Sequence, residues 1–326
     1  MDDKHGLLEL FEAFKQLKVL VVGDVMIDAY IYGDVNRISP EAPIPVLDVT
    51  HKKNCLGGAA NVALNIESLG ATAHLFAVAG KDSHCETLLR LLEENGLWSE
   101  GLCHSSNRRT TVKSRIISNA QHLLRFDEED KHALNESEEQ ALLDRIKAHI
   151  SDYDAVVFED YDKGCLNQRV IEEVIGLATR HGIPTLVDPK KDNFMDYIGV
   201  TLFKPNLKEL SEGLKRKVLP EHIEEATSEL MTRLKFQQAL VTLSQHGVFY
   251  KNAEDQGTIP AHVRNIANVS GAGDTVIAVA ALCLAAGAST KEIAQLANLA
   301  GGIVCESPGI VPIDRDRLIA EIEQNL

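Results

Sequence analysis

Three observations predict an α/β fold: a doubly wound, mostly parallel sheet flanked by helices, with a small β-sheet projecting from it. Strand-like and helix-like segments alternate along most of the 326 residues. The first strand candidate, Val19-Leu-Val-Val-Gly23, is a continuous apolar run ending in a turn, the pattern of a strand covered on both faces. Two stretches, 29–49 and 109–126, are instead rich in Val, Ile, Tyr and Thr with polar alternation and carry no helix of their own.

In chain order, the apolar spacing over 7–17 predicts an outer helix, followed by the strand at 19–23. A helix at 59–69, a strand at 73–79 and a helix at 83–94 come next. Later there is a strand at 155–158, a helix at 168–180 and a strand at 184–187. They are followed by a strand at 202–204, a helix at 222–235 and a strand at 239–243. This rhythm is that of parallel strands joined by helical crossovers. The stretches 29–49 and 109–126 read as paired short strands forming a lid over a pocket. Between the first pair, Ile38-Ser-Pro-Glu-Ala-Pro-Ile-Pro45 is turn-forming, because proline fixes φ and removes donors.

Composition narrows the function classes. Lys plus Arg number 33 against 48 Asp plus Glu, a formal net charge of −15 that repels nucleic acid and anionic membrane. The N-terminus lacks a basic-then-apolar leader pattern, and the longest apolar run, 278–288, is too short to span a bilayer. Six cysteines (55, 85, 103, 165, 283, 305) show no metal-ligand spacing and read as small buried hydrophobes of a cytoplasmic protein.

The chemistry concentrates in Asn268-Val-Ser-Gly-Ala-Gly-Asp-Thr275, which runs into the apolar segment 276–286. Small residues let the backbone approach a ligand, and a helix starting there aims its free N–H groups at an anion. Asp274 lies inside that cradle, where a carboxylate suits removal of a proton from an attacking hydroxyl. A glycine turn with an acidic helix start would also account for the motif. Upstream, Leu56-Gly-Gly-Ala-Ala-Asn61 opens a second helix with side chains kept small. Asp24 and Asp28 both follow the first strand, where doubly wound sheets collect ligands, and periodicity does not separate them. Neither a P-loop nor a Rossmann G-x-G-x-x-G after the first strand is present.

These motifs make the chain resemble the ribokinase-like, or PfkB, carbohydrate kinases. One signature runs from Gly57-Gly58 through Asn61 and Ala63 to Gly70 and Gly80, and the other is Asn268 to Asp274, about 210 residues on. Between them, Asn206-Leu-Lys-Glu209 is similar to the family's N-x-x-E element. The resemblance covers essentially the whole chain. It implies one kinase domain over 1–326, a β-lid, ATP and Mg²⁺ as cofactors, and a homodimer paired through the lid. Longer phrases look most like kinases of heptose 7-phosphate in lipopolysaccharide-core precursor synthesis. Among them are Arg37-Ile-Ser-Pro-Glu-Ala-Pro43, Thr111-Val-Lys-Ser-Arg115, Asp160-Tyr-Asp-Lys-Gly164 and Asp188-Pro-Lys190. In many bacteria such a kinase is fused to an adenylyltransferase. The sequence has no nucleotidyltransferase H-x-G-H element and reads as a stand-alone form or an isolated kinase domain.

By this resemblance Asp274 is the general base for the anomeric hydroxyl, and Gly271, Ala272, Gly273 and Asp274 offer N–H groups to the transferred phosphoryl group. Asp28, Gly57, Gly58 and Asn61 are implied sugar ligands. Lys163, Lys190, Arg115 and Arg37 are the candidate cations for the sugar's phosphate. Asn206 and Glu209 are implied to organise Mg²⁺ and the nucleotide phosphates, Glu209 through water. The nucleotide is expected near Thr242, Ser244, Gly247 and Asn298. At Ser244 the chain departs from the glycine that many relatives carry.

Overall fold

The computed structural model of the protein describes residues 3–119, 121–262 and 264–325. Helix α1 (Asp3–Phe14) buries Leu7, Phe11 and Phe14, and ends earlier than the apolar spacing to Leu17 suggests. The N–H groups of Gln16 and Leu17 close a turn on Ala13 and Phe14, which swings the chain into strand β1 (Lys18–Gly23). Strands β2 (Val25–Ile38) and β3 (Pro45–Gly58) follow, then α2 (Ala59–Ser68), β4 (Thr72–Gly80), α3 (Ser83–Glu94) and β5 (Leu102–Ser105). After β6 (Thr111–Ser118) and β7 (Gln121–Glu128) come α4 (Glu136–His149), β8 (Ala155–Glu159), α5 (Gln168–His181) and β9 (Thr185–Asp188). The chain continues through β10 (Leu202–Phe203), α6 (Leu207–Gly213), α7 (Ile223–Leu234), β11 (Gln238–Thr242), β12 (Val248–Lys251) and β13 (Gln256–Ile259). It closes with α8 (Ala272–Ala285), α9 (Thr290–Val304) and α10 (Arg315–Asn325).

The main sheet has the order β13-β12-β11-β10-β9-β8-β1-β4-β5. Its strands are parallel from β5 to β11, and β12 and β13 add an antiparallel edge. Chain order reverses at β1, which has β4 on one side and β8 on the other. A crevice at the carboxyl ends of the strands follows from that reversal. Alternation along each strand divides the core into two layers. Val19, Val21, Val157, Leu186 and Leu202 face α2, α8 and α9, whereas Leu20, Val22, Phe158, Val187 and Phe203 face α4, α5 and α7. Each fully buried side chain of this kind contributes about 1.5–3 kcal/mol.

The same alternation orders the polar residues at the strand ends. Gly23 pairs with Glu159, and Glu159 with Asp188. Lys204 follows the β10 residue that pairs with Val187. Two residues beyond Val21, Val157, Leu186 and Leu202, this row must face the α8 layer.

The second sheet has the order β3-β2-β6-β7, with β2 and β6 parallel and the other pairs antiparallel. It uses longer stretches than 29–49 and 109–126, because β2 departs directly from β1 and β3 runs unbroken into α2. The sheet therefore grows out of the strand-end crevice, and its first pair is long, not short. The proline-rich stretch after Ile38 forms the hairpin's turn, as its composition requires.

A buried polar network ties α2 to α8 and to the segment before α10. Asn65, fully buried, donates to the Asn61 carbonyl at 2.8 Å. Its Oδ1 accepts from Thr275 Oγ1 and from the Ile313 N–H, both at 3.0 Å. Replacing Asn65 with Ala leaves the Ile313 N–H buried without a partner, so Asn65→Ala should lose about 1–3 kcal/mol. A lower urea midpoint at unchanged m-value is the expected readout, and an unchanged midpoint would show that the network is dispensable.

Candidate active site

Helix α8 is apolar and almost wholly buried, and its polar start is the exception. Gly271 caps it at φ 83, a left-handed conformation in which a Cβ would also stand 3.1 Å from Asn61 Nδ2. A Cβ on Gly273 would lie 3.3 Å from Asp188 Oδ2 and 3.7 Å from Lys204 Nζ. The Ala272 N–H reaches the Val269 carbonyl at 3.4 Å, while the Gly273 and Asp274 N–H groups find no acceptor among the described residues. Two donors at the positive end of a 14-residue helix thus lie beside the strand-end row.

Asp274 is held from both sides. Asn61 Nδ2 donates to its Oδ2 at 2.7 Å, and the Tyr161 hydroxyl donates to its Oδ1 at 2.8 Å. Burial raises the pKa of Asp274. The hydrogen bonds from Asn61 and Tyr161 oppose that shift, and the charges of Asp188 and Asp28 add to it. The net direction is upward, which makes this carboxylate a stronger base than a solvated one. Burial and the Asp274 charge also push the Tyr161 phenol well up, so it remains a donor.

Beside Asp274 lies the strand-end row. Asp188 Oδ2 pairs with Lys204 Nζ at 2.8 Å, while its Oδ1 is buried with Lys190 Nζ at 3.7 Å, beyond hydrogen-bond reach. Burial alone would raise Asp188, but Lys190 and Lys204 outweigh it and hold the carboxyl below its usual range. Glu159 is completely buried, and neither carboxyl oxygen has a partner among the described residues. Burial first, then the charges of Asp188 and Asp274, push it well above the ordinary glutamate value.

On the lid side the structure separates Asp24 from Asp28. Asp24 accepts N–H bonds from Tyr161, Lys163 and Cys165, so it shapes the loop that delivers Tyr161. Burial and the neighbouring Asp160 raise it to about 6 despite those bonds. Asp28 instead points into the lid face, where Arg115 pairs with it. Gly57 lies against Asp28: a Cβ there would approach its Oδ2 to 2.2 Å. Gly58, at φ 57, admits no side chain beside the Asp24 carbonyl. The glycine pair thus lets β3 close on β2 at the foot of the lid. A cavity of about 410 Å³ opens farther out, lined by Tyr30, Tyr32, Ile117, Asn268 and Gly309 among others, and does not include Asp274.

On the opposite side, Asn206 and Glu209 form a capping box on α6. Asn206 Oδ1 accepts from the Glu209 N–H at 2.9 Å, and Glu209 Oε2 from the Asn206 N–H at 2.8 Å. Lys190 donates to Glu209 Oε1 at 2.6 Å. Burial disfavours the Lys190 ammonium, but Asp188 and Glu209 outweigh it and hold its pKa above the lysine value. Thr242 bridges to Asn206. Ser244 takes φ 53, the conformation that glycine adopts without penalty, which is the physical meaning of the departure at this position. Gly247 packs against the 259–261 backbone, and Asn298 Nδ2 donates to the Pro260 carbonyl at 2.9 Å, so those two converge.

Lys163 pairs with Glu129 at 3.0 Å. Arg37 lies nine residues beyond Asp28 on β2, on the order of 30 Å along the strand, and the fold does not bring it to Asp274. Three residues of the site escaped selection from sequence: Tyr161, Glu159 and Lys204. All stand inside or beside the quoted phrases, but only strand register shows that they meet Asp274. The six cysteines carry no disulfide, and burial pushes the half-buried Cys55 thiol up, away from reactivity.

A reversed-order parallel sheet, a separate β-lid and a buried acid at a glycine-capped helix define a ribokinase-like sugar kinase. Over residues 16–315 the chain matches the pfkB family of carbohydrate kinases, and it belongs to that family. It is 39% identical over 324 residues to the bifunctional protein HldE of Granulibacter bethesdensis, covering 96% of this chain and 66% of that protein. With the HldE of Caulobacter sp. it shares 40% identity, over 98% of this chain and 65% of that one. The chain thus spans about two thirds of the length of these relatives. Phosphofructokinase-2 from Escherichia coli, in complex with potassium, superposes with a TM-score of 0.78 at 22% identity, over 94% of this chain and 99% of that one. Arabidopsis thaliana ribokinase complexed with ribose and ATP gives 0.72 at 17%, with the same coverage. The chain is a phosphotransferase with a hydroxyl acceptor, and its family uses ATP with Mg²⁺. The two unpaired N–H groups of α8, the Lys204 ammonium and the orphaned Asp188 Oδ1 suit such a polyanion and its cation.

Glu159 gives a prediction with a definite sign. Its folded pKa lies above the unfolded value of 4.5, so its contribution is fully present below that value and is lost as pH rises through the folded pKa. The Tm of Glu159→Gln relative to wild type should therefore increase from about pH 5 to about pH 8. A difference that stays flat across that range would show that Glu159 is already ionised in the folded protein.

Proposed function

We propose that the chain transfers the γ-phosphoryl group of ATP to the anomeric C1 hydroxyl of D-glycero-D-manno-heptose 7-phosphate, forming the 1,7-bisphosphate. The observation that carries this reading is the placement of Asp274, fixed by Asn61 and Tyr161 below a lid face rich in cations. The heptose itself rests on the lid and loop phrases around Arg37, Arg115, Lys163 and Lys190. The product is a precursor of ADP-heptose for the lipopolysaccharide core.

ATP supplies the phosphoryl group and Mg²⁺ screens its charge. The chain's residues do the rest. Asn61 and Tyr161 aim the Asp274 carboxylate, whose raised pKa suits it to take the C1 proton, worth about 10²–10⁴-fold. The N–H groups of Gly273 and Asp274, with Gly271 and Ala272 shaping the turn, lie where charge builds on the transferred group. Asp28, Gly57, Gly58 and Asn61 hold the sugar. Asn206 and Glu209 organise the phosphates and, through water, Mg²⁺, and Thr242, Ser244, Gly247 and Asn298 border the nucleotide. We place the enzyme in the cytoplasm: no described helix is long and apolar enough to cross a membrane, and the charge of −15 disfavours nucleic acid.

Asp274→Asn should abolish ADP formation with heptose 7-phosphate while retaining ATP binding by titration calorimetry. Unchanged turnover would sink the assigned base. In the same assay, heptose 7-phosphate should exceed fructose 6-phosphate and ribose in kcat/KM. A fructose 6-phosphate preference would reassign the acceptor within sugar phosphates, and nucleotide binding without any turnover would mark a sensor.

Both outer strands of the lid are exposed, and Val49 on β3 and Leu124 and Phe126 on β7 present apolar surface. Open strand edges invite pairing, so we propose a homodimer through the lid. Light scattering should give about twice 35.7 kDa, falling to the monomer mass in Leu124→Glu. A wild-type monomer at assay concentration would refute it.

A further inference from the structure

The lid face that looks onto Asp274 follows from strand register. Asp28 on β2 pairs with Lys113 on β6, and Lys113 with Asp127 on β7. Two residues on, Tyr30, Arg115 and Arg125 repeat the row on the same face. The carboxylates of this surface are each engaged by a cation other than Lys113. Arg115 pairs with Asp28, Arg125 holds Asp127 at 2.7 Å, and Glu129 takes both Lys163 at 3.0 Å and Lys131 at 3.2 Å.

Lys113 makes no ion pair among the described residues. Its ammonium lies 4.6 Å from the centroid of the Tyr161 ring, and the hydroxyl of that ring donates to Asp274. It is half-buried, and burial disfavours its charge. Asp28 and Glu129 only partly offset that, and Lys163 and Arg125 add to the penalty. A half-buried cation with no ion pair among the described residues, one phenol ring from the base, is suited to meet an anion brought in by a ligand. The nucleotide-side residues Asn206, Thr242 and Gly247 belong to β10, β11 and their loops, whereas Lys113 sits on the lid sheet against Tyr161, with Asp28, Arg125, Glu129 and Lys163 as its charged neighbours and Lys190 over the same ring. Such an anion therefore enters from the acceptor side.

We propose that Lys113 binds the phosphate already carried by the acceptor sugar and thereby selects phosphorylated over neutral acceptors. This rests on the reading of the chain as a sugar-phosphate kinase and assigns the selectivity to one residue. Of the cations nominated from sequence, Lys163, Lys190 and Arg115 are largely committed to carboxylates, and Arg37 lies far along β2. The first three shape the field around the anion, and Lys113 is free to meet it. Tyr161 gives the ammonium a fixed seat.

The test compares wild type with Lys113→Met and Lys113→Arg in the ADP-release assay. Each is measured on heptose 7-phosphate and on the same heptose without its phosphate, with inorganic phosphate as a competing probe. In Lys113→Met the ratio of kcat/KM for phosphorylated over unphosphorylated acceptor should fall about ten- to a hundredfold, carried by KM. Competition by inorganic phosphate should weaken in parallel, and Lys113→Arg should restore most of the ratio. Thermal melting checks folding, and Met preserves the apolar stem. An unchanged ratio in a folded Lys113→Met overturns the proposal, and so does an equal loss on both acceptors, which would mean that Lys113 only positions Tyr161. If wild type itself shows no preference for the phosphorylated acceptor, the sugar-phosphate reading fails, and Lys113 with it. A wild-type preference that survives in the variant rejects Lys113 alone.

Discussion

The structure depends on bringing one carboxylate, Asp274, out of water at the start of a buried helix and holding it there with no ion pair among the described residues. Its hydrogen bonds come from Asn61, 213 residues away in sequence, and Tyr161, 113 residues away. Both donors are neutral. An arginine or lysine partner would have depressed the pKa, whereas the amide and phenol donors fix the geometry and offset the upward effect of burial only in part. The surrounding network serves that constraint. Asn65 fixes Asn61, and Asp24 gathers three N–H groups of the loop that presents Tyr161.

Among the described residues no cation pairs with Asp274, but several pair with carboxylates one step away. Lys204 and Lys190 pair with Asp188 and Glu209, and Arg115 pairs with Asp28. Parallel register produces this segregation, because residues at equal heights on adjacent strands share a face. Gly23, Glu159, Asp188 and Lys204 consequently form a line under α8. Glu159 is the costly member, since nothing among the described residues satisfies its oxygens. A buried carboxyl without partners resolves that cost by retaining its proton, which limits how much negative charge accumulates beside Asp274.

Most of the architecture was legible from local pattern. Helix α3 falls at the expected residues, and β1, β4, β8, β9 and β11 lie within a residue or so of the predicted runs. The lid's position was legible too, but its strand lengths were not. Polar alternation fades where β2 and β3 are exposed or pass into the crevice, and pairing, not hydrophobicity, sets their ends. Helix α4 went unpredicted for a related reason: its surface is dominated by charged residues, and only Leu142, Leu143 and Ile146 are buried.

The sequence by itself determined the fold class, the glycines at 57, 58 and 271, and Asp274 as the acid at a glycine-capped helix start. Hydrophobic period and the demand for small residues are local properties that a linear chain displays. The tertiary structure decided which polar groups meet. It gave Asp24 to the loop and Asp28 to the lid, and it brought Tyr161, Glu159 and Lys204 to Asp274. It left Arg37 far along β2 and Lys113 with no ion pair among the described residues. Those outcomes depend on strand register and sheet order, which put distant segments at one height on one face. No window of sequence contains that information, because charge pairing is set by the space between elements and not by the spacing within them.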